Sequence, residues 1–131
     1  MGSYGQAAID AVKLIKIGRA TGPIDAWTKA TISLFGKGTS AQKSCPRDAF
    51  LGLCDYGLVK NIKAGNYTDS IDNKTYAVEA VKLLKAKPSL GSGTKMDLWR
   101  RVMKAVGEPT NKIHNQQMDV VLALFNNRLI R

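Results

Sequence analysis

Residues Ala8–Lys16 read AIDAVKLIK, and residues Ala77–Lys85 read AVEAVKLLK; six of the nine positions are identical at an offset of 69. Unrelated stretches of ordinary composition share roughly one position in fifteen. In the first stretch Ala8, Ala11, Val12, Leu14 and Ile15 fall at helical spacing, so each stretch predicts an amphipathic helix. Two further matches follow in the same order. Asp25-Ala26-Trp27 answers Asp97-Leu98-Trp99 at an offset of 72, and DAFLGLCDYGLV (Asp48–Val59) answers DVVLALFNNRLI (Asp119–Ile130) at 71. The offset changes only between blocks, where loops belong, and the two tryptophans of the chain are paired. The expectation is a single domain over residues 1–131 containing an internal repeat, residues 4–65 and residues 73–131, with three helices in each copy.

Local signals punctuate those helices. Ser3 and Gln6 have capping-box spacing at the start of the first, and Gly18 closes it. The second starts at Gly22-Pro23, with proline suited to a first turn, and ends at Gly36. The third starts near Pro46 and ends around Gly57; the fourth follows Asp72. The fifth runs from Thr94, with Asp97 three residues on, to Gly107, and the sixth from Asn115 to Leu129. No stretch sustains period-two alternation. The one place for a short β-hairpin is after helix 3, from Leu58–Ile62 to Asn66–Thr68. The expected fold is therefore all-α: a six-helix bundle of two tandem three-helix units about a pseudo-two-fold axis.

Composition narrows the function class. Twenty Lys and Arg against ten Asp and Glu give a net charge of +10. The excess divides evenly: residues 1–65 and 66–131 each carry +5. A basic domain of this kind suits a polyanionic partner. No apolar run approaches a membrane span, and Gln6 stands where a myristoylation motif wants Ser or Thr. Cys45 and Cys54 are nine residues apart, about 13.5 Å along one helix, too far for a disulfide. A reduced, cytoplasmic protein follows, and the sequons at Asn66 and Asn73 carry no meaning there.

The third helix of each copy is the candidate site. Leu53, Gly57-Leu58-Val59 and Gly65-Asn66-Tyr67 fall in the order of a recognition helix, a turn and a wing, so the first unit reads as helix-turn-helix-like; the second keeps Leu124 and Leu129-Ile130 but no wing follows them. The start of such a helix offers free N–H groups to a phosphate. Arg47 would reach guanine, and Asn115, Gln116 and Gln117 would pair with an adenine edge. Lys43, Arg100, Arg101, Lys104 and Lys112 would contact phosphates. Tyr67, beside a turn, is the aromatic expected to be exposed; Trp27 and Trp99 read as core anchors rather than stacking platforms. Asp48 and Asp119 stand in the first turns of both third helices, where a carboxylate complements the helix dipole but repels phosphate. Cys54 aligns with Phe125 and reads as a small core hydrophobe.

The leading expectation is a non-enzymatic basic module that binds nucleic acid, and the runner-up is a protein-interaction module. An enzyme is the outside reading: Cys45 precedes Pro46 and Arg47 at a helix start, a setting that activates thiols, and His114 precedes the matching helix of the second copy. No metal or cofactor is expected, because two cysteines and one histidine have no zinc spacing. The stretch SCPRDAFLGLCDYGLVKNIKAGNYT (Ser44–Thr68), with NQQMDVVLAL (Asn115–Leu124), resembles a family of small uncharacterised bacterial proteins. That resemblance runs over nearly the whole chain and implies a stand-alone cytoplasmic protein with no assigned activity.

Overall fold

The computed structural model describes residues 3–41 and 43–131. Six α-helices make up the fold: α1 (Ser3–Lys16), α2 (Pro23–Phe35), α3 (Ser44–Asp55), α4 (Ile71–Ala86), α5 (Lys95–Val106) and α6 (Gln117–Asn126). A short 3-10 turn, Pro88–Ser92, links α4 to α5.

Caps explain most of the boundaries. Ser70 Oγ accepts from the Asn73 N–H, so α4 begins just before Asp72 rather than after it. Thr94 Oγ1 accepts from the Asp97 N–H, and Gly107, in the left-handed region at φ 78°, ends α5. The capping box foreseen at Ser3 and Gln6 does not form. Ser3 is already helical, and the Gln6 amide donates forward to Asp10 Oδ1 at 2.8 Å. The foreseen sixth helix is also too long at both ends. Gln116 takes φ 65°, which helical backbone excludes, and the chain turns out of the helix again at Asn127.

α1 packs on α2 and on α6, while α3 packs on α4 and α6. The first helix of each half of the chain thus lies against the third helix of the other half. One core runs through the molecule, and Trp27, Phe50, Leu53, Leu84, Leu98, Trp99, Met118 and Leu124 are among its fully buried side chains. The β-hairpin expected after α3 is absent. Val59 instead forms an isolated antiparallel bridge with Ile130. The Lys60 N–H donates to Leu129 O at 2.9 Å, and the Arg131 N–H donates to Leu58 O at 2.8 Å. These two bonds are counterparts at the offset of 71, so two segments that align in the sequence pair with each other. Val59 therefore has no edge to offer Asn66–Thr68, and the Tyr67 N–H is taken by Asp55 Oδ1.

The two tryptophans are both core anchors, but their surroundings differ. Trp27 stacks on Phe50, with ring centroids 5.3 Å apart at 26°. Trp99 meets Tyr76 edge-on at 5.3 Å and 84°. Trp99 Nε1 donates to Lys112 O at 2.6 Å, whereas Trp27 Nε1 is buried with no acceptor among the described residues.

Candidate nucleic-acid interface

The third helices are the most enclosed elements of the fold, which overturns the recognition-helix expectation. In α3 every residue from Asp48 to Asp55 is buried, and in α6 so are Gln117–Val121, Ala123 and Leu124. Both carry apolar residues on nearly every side, the pattern of a central helix rather than of a surface one. A helix covered by its neighbours cannot lie in a DNA groove. Leu51, Leu53 and Val59 are core. What remains available at these helices is their starts and the loops that precede them.

The expected contact residues fall into separate groups. Lys43 sits exposed at the N-cap of α3 and makes no capping bond. Arg47 is exposed, with Nε 3.3 Å from Asp48 Oδ1, and Asp48 also accepts from Thr68 Oγ1 at 3.0 Å. Arg47 and Tyr67 share the lining of one small cleft of about 200 Å³. Arg100 and Lys112 line another cavity, of about 490 Å³, together with His114. Arg101 is held by Asp97 at 3.0 Å, one turn back on α5. Asn115 is exposed, and its backbone N–H donates to Gln117 Oε1.

Two of those expectations need correction. Gln117 is buried, with its Nε2 donating to Asn73 Oδ1 at 3.0 Å, so its amide is committed inside the fold and cannot read an adenine. Tyr67 is half-buried rather than exposed. Its hydroxyl donates to Lys63 O at 2.8 Å, and its ring lies where a side chain at Gly65 would stand. Gly65 therefore marks a close approach inside the turn, not a wing tip.

Cys45 stands in the first turn of α3 and His114 in the loop before α6, and no hydrogen bond joins them among the described residues. The His114 ring lies 5.9 Å from that of Trp99, and Nδ1 accepts from the Gln116 N–H at 3.3 Å. Burial, with Lys95 nearby, holds its imidazole below the ordinary 6.5, against a smaller opposing pull from Asp119. Burial, with Asp55 adjacent, pushes the Cys54 thiol far up, as a core cysteine requires. The His114 shift has a measurable sign. The unfolded chain takes up its histidine proton at a higher pH than the folded one, so this contribution to stability is present above 6.5. It fades as pH falls through the lower folded value. Urea midpoints taken from neutrality down to about pH 5 should therefore fall less steeply in His114→Gln than in the parent.

The structure gathers one further set of cations that the sequence reading missed. At the junction where the two copies' ends pair, Lys60, Lys63 and Arg131 line a shallow cavity of about 410 Å³ with Asn61 and Ile62, and no carboxylate side chain is on its wall. None of the three has an ion-pair partner among the described residues, where six ion pairs occupy six of the twenty Lys and Arg. The signal was in the repeat: the offset of 71 that aligns Val59 with Ile130 also aligns Lys60 with Arg131.

Among the described residues no group of three or more His, Cys, Asp or Glu is placed to hold a metal ion, and no helix is long and apolar enough to cross a membrane. No curated protein and no solved structure shows a significant match to the chain. A family model matches residues 1–131, and by it the chain belongs to a family of unknown function, DUF6979.

Proposed function

We propose that this protein is a non-enzymatic module that binds the phosphate backbone of nucleic acid in the cytoplasm, through cations on helix ends and loops. The observation that carries this reading is the Lys60–Lys63–Arg131 cluster, three side-chain cations without ion-pair partners among the described residues, around one concavity lined by no Asp or Glu. Such a cluster releases condensed counterions when it meets phosphates and reads no bases. The exposed Lys43, Arg47 and Arg100 extend the same chemistry over other parts of the surface.

The test is anisotropy of a labelled mixed-sequence duplex at several salt concentrations. If the three cluster cations each neutralise a phosphate, they supply about −3 of the slope of log affinity against log salt. Replacing Lys60, Lys63 and Arg131 together by Gln should remove that share and weaken binding at least about tenfold near physiological salt. Arg101→Gln, at a cation already paired with Asp97, should change binding much less. No binding of the parent at low salt overturns the proposal.

A second reading has its own observation. Met96 and Ile113, 37% and 80% exposed, flank Arg100 and His114 in one cavity, an apolar and basic combination suited to a protein partner. In that case Ile113→Asp would abolish an association that the triple Gln variant leaves intact.

A further inference from the structure

The Trp27 indole is the most conspicuous unmet donor in the fold. Trp27 is 1% exposed, its Nε1 is sealed from solvent, and among the described residues no acceptor lies within reach of it. Buried N–H groups in folded proteins nearly always have a partner. The second copy shows how that partner can be supplied from inside. There the loop after α5 folds over Trp99, and Lys112 O accepts its N–H. In the first copy the loop after α2 follows another course: Ser40 O accepts from the Tyr4 hydroxyl at 2.8 Å instead. Between that loop and α2 lies a cavity of about 560 Å³, with Trp27 in its wall.

The rest of the wall defines what fits. Arg47 and Lys37 line the cavity, and no acidic residue does. Asp48 holds Arg47 through Nε only, leaving the two Nη groups without a protein acceptor among the described residues. Ile32 and Ala41 give the wall an apolar part, and the Thr28 and Thr31 hydroxyls already donate to Ile24 O and Trp27 O. Gly36 and Gly38 make the enclosing loop adaptable, with Gly36 in the left-handed region at φ 76°.

We infer that this cavity is a binding site for a small organic anion. Binding shifts the Gly36–Gly38 loop enough to uncover Trp27 Nε1; one oxygen of the head group then accepts the Trp27 N–H, a second meets the Arg47 guanidinium with Lys37 alongside, and an apolar body rests on Ile32 and Ala41. A carboxylate and a phosphate monoester share this chemistry, and the test separates them. The site shares Arg47 with the nucleic-acid surface but uses none of the Lys60–Lys63–Arg131 cluster, so small-anion binding at Trp27 can be tested apart from the nucleic-acid reading.

The chain has two tryptophans, hence two indole N–H resonances in a ¹H–¹⁵N spectrum, and Trp99→Phe or Trp27→Phe assigns them by deletion. Benzoate and phenyl phosphate are the probes, with inorganic phosphate as the bare head group and benzyl alcohol as the neutral body. Saturable downfield movement of the Trp27 resonance with benzoate or phenyl phosphate is expected, and the stronger of the two identifies the head group. Benzyl alcohol and inorganic phosphate should bind more weakly than the better aromatic anion. Arg47→Gln, a change at an exposed side chain, should weaken that binding about tenfold, as loss of a charge-assisted hydrogen bond implies. The inference is overturned if neither aromatic anion moves the Trp27 resonance at millimolar concentration. It is equally overturned if benzyl alcohol binds as well as the anions, or if Arg47→Gln leaves affinity unchanged.

Discussion

Replacing Asp55 by Ala is expected to remove about 3 kcal/mol of stability and to lower the melting temperature by about 10 °C. Asp55 is the last residue of α3, and its side chain is fully inaccessible. One carboxylate oxygen accepts from Lys74 Nζ at 3.1 Å, and the other accepts the Tyr67 N–H. Its backbone carbonyl accepts from the Gly65 N–H at 3.2 Å. The residue therefore ties α3 to α4 and also organises the loop between them, which carries Lys60 and Lys63. Removing one partner of a buried pair costs more than the pair was worth, because the remaining charge keeps its desolvation penalty. Lys74 lies over the Tyr56 ring at 5.0 Å with 29% of its side chain exposed, so it can partly rehydrate, which puts the loss at the lower end of the usual range. Asp97→Ala, which breaks the exposed pair with Arg101, should cost no more than about 0.5 kcal/mol. Denaturant titrations of both variants make the check. An Asp55→Ala loss as small as that of Asp97→Ala would mean the carboxylate is not holding the two helices together.

This arrangement shows which parts of the fold were legible in the sequence. Helical spacing, the capping threonine at Thr94 and the glycines at Gly36 and Gly107 act within a few residues of themselves. Helix count and most ends could therefore be read directly. The repeat aligned Leu58-Val59 with Leu129-Ile130 but could not say that these segments pair, so Leu58–Ile62 reads as one arm of a hairpin that the structure replaces with the Val59–Ile130 bridge. Long-range competition was not legible. Gln117 reads as an exposed amide at a helix start, and only the approach of Asn73 from α4 makes it a buried one. Tyr67 reads as a turn aromatic until Asp55, twelve residues earlier, takes its N–H. The third helices were misassigned to the surface because a leucine-spaced helix looks alike whether one face or all of them are covered. Lys60 and Lys63 are neighbours in the sequence, but Arg131 joins them only through the Leu58–Lys60 and Leu129–Arg131 backbone pairing, which local patterning does not reveal.

Gly52→Ala should destabilise the protein by about 2–3 kcal/mol, against the sign that helix propensity alone would give. Gly52 lies in the interior of α3, where replacing Gly by Ala ordinarily gains about 1 kcal/mol. Here a Cβ at position 52 would stand 2.7 Å from Lys74 Cα and 2.8 Å from Lys74 Cβ. The first of those atoms is backbone, so no rotamer change relieves the clash, and α3 and α4 must separate. Separation stretches the Asp55–Lys74 pair and opens the core around Leu53, so the cost exceeds that of one crowded methyl group. Gly52→Val should be worse still, since a branched side chain adds volume at the same point. The matching crossing in the other half has the small residue on the other helix. The offset of 71 takes Gly52 to Ala123 on α6, and the offset of 69 takes Lys74 to Gly5 on α1, both buried. Gly38→Ala, where nothing lies within 4 Å of the new methyl, should stay within about 0.5 kcal/mol of the parent. If Gly52→Ala proves neutral or stabilising in the same denaturation series, α3 and α4 do not approach so closely, and a close crossing cannot be what sets the loop that presents Lys60 and Lys63.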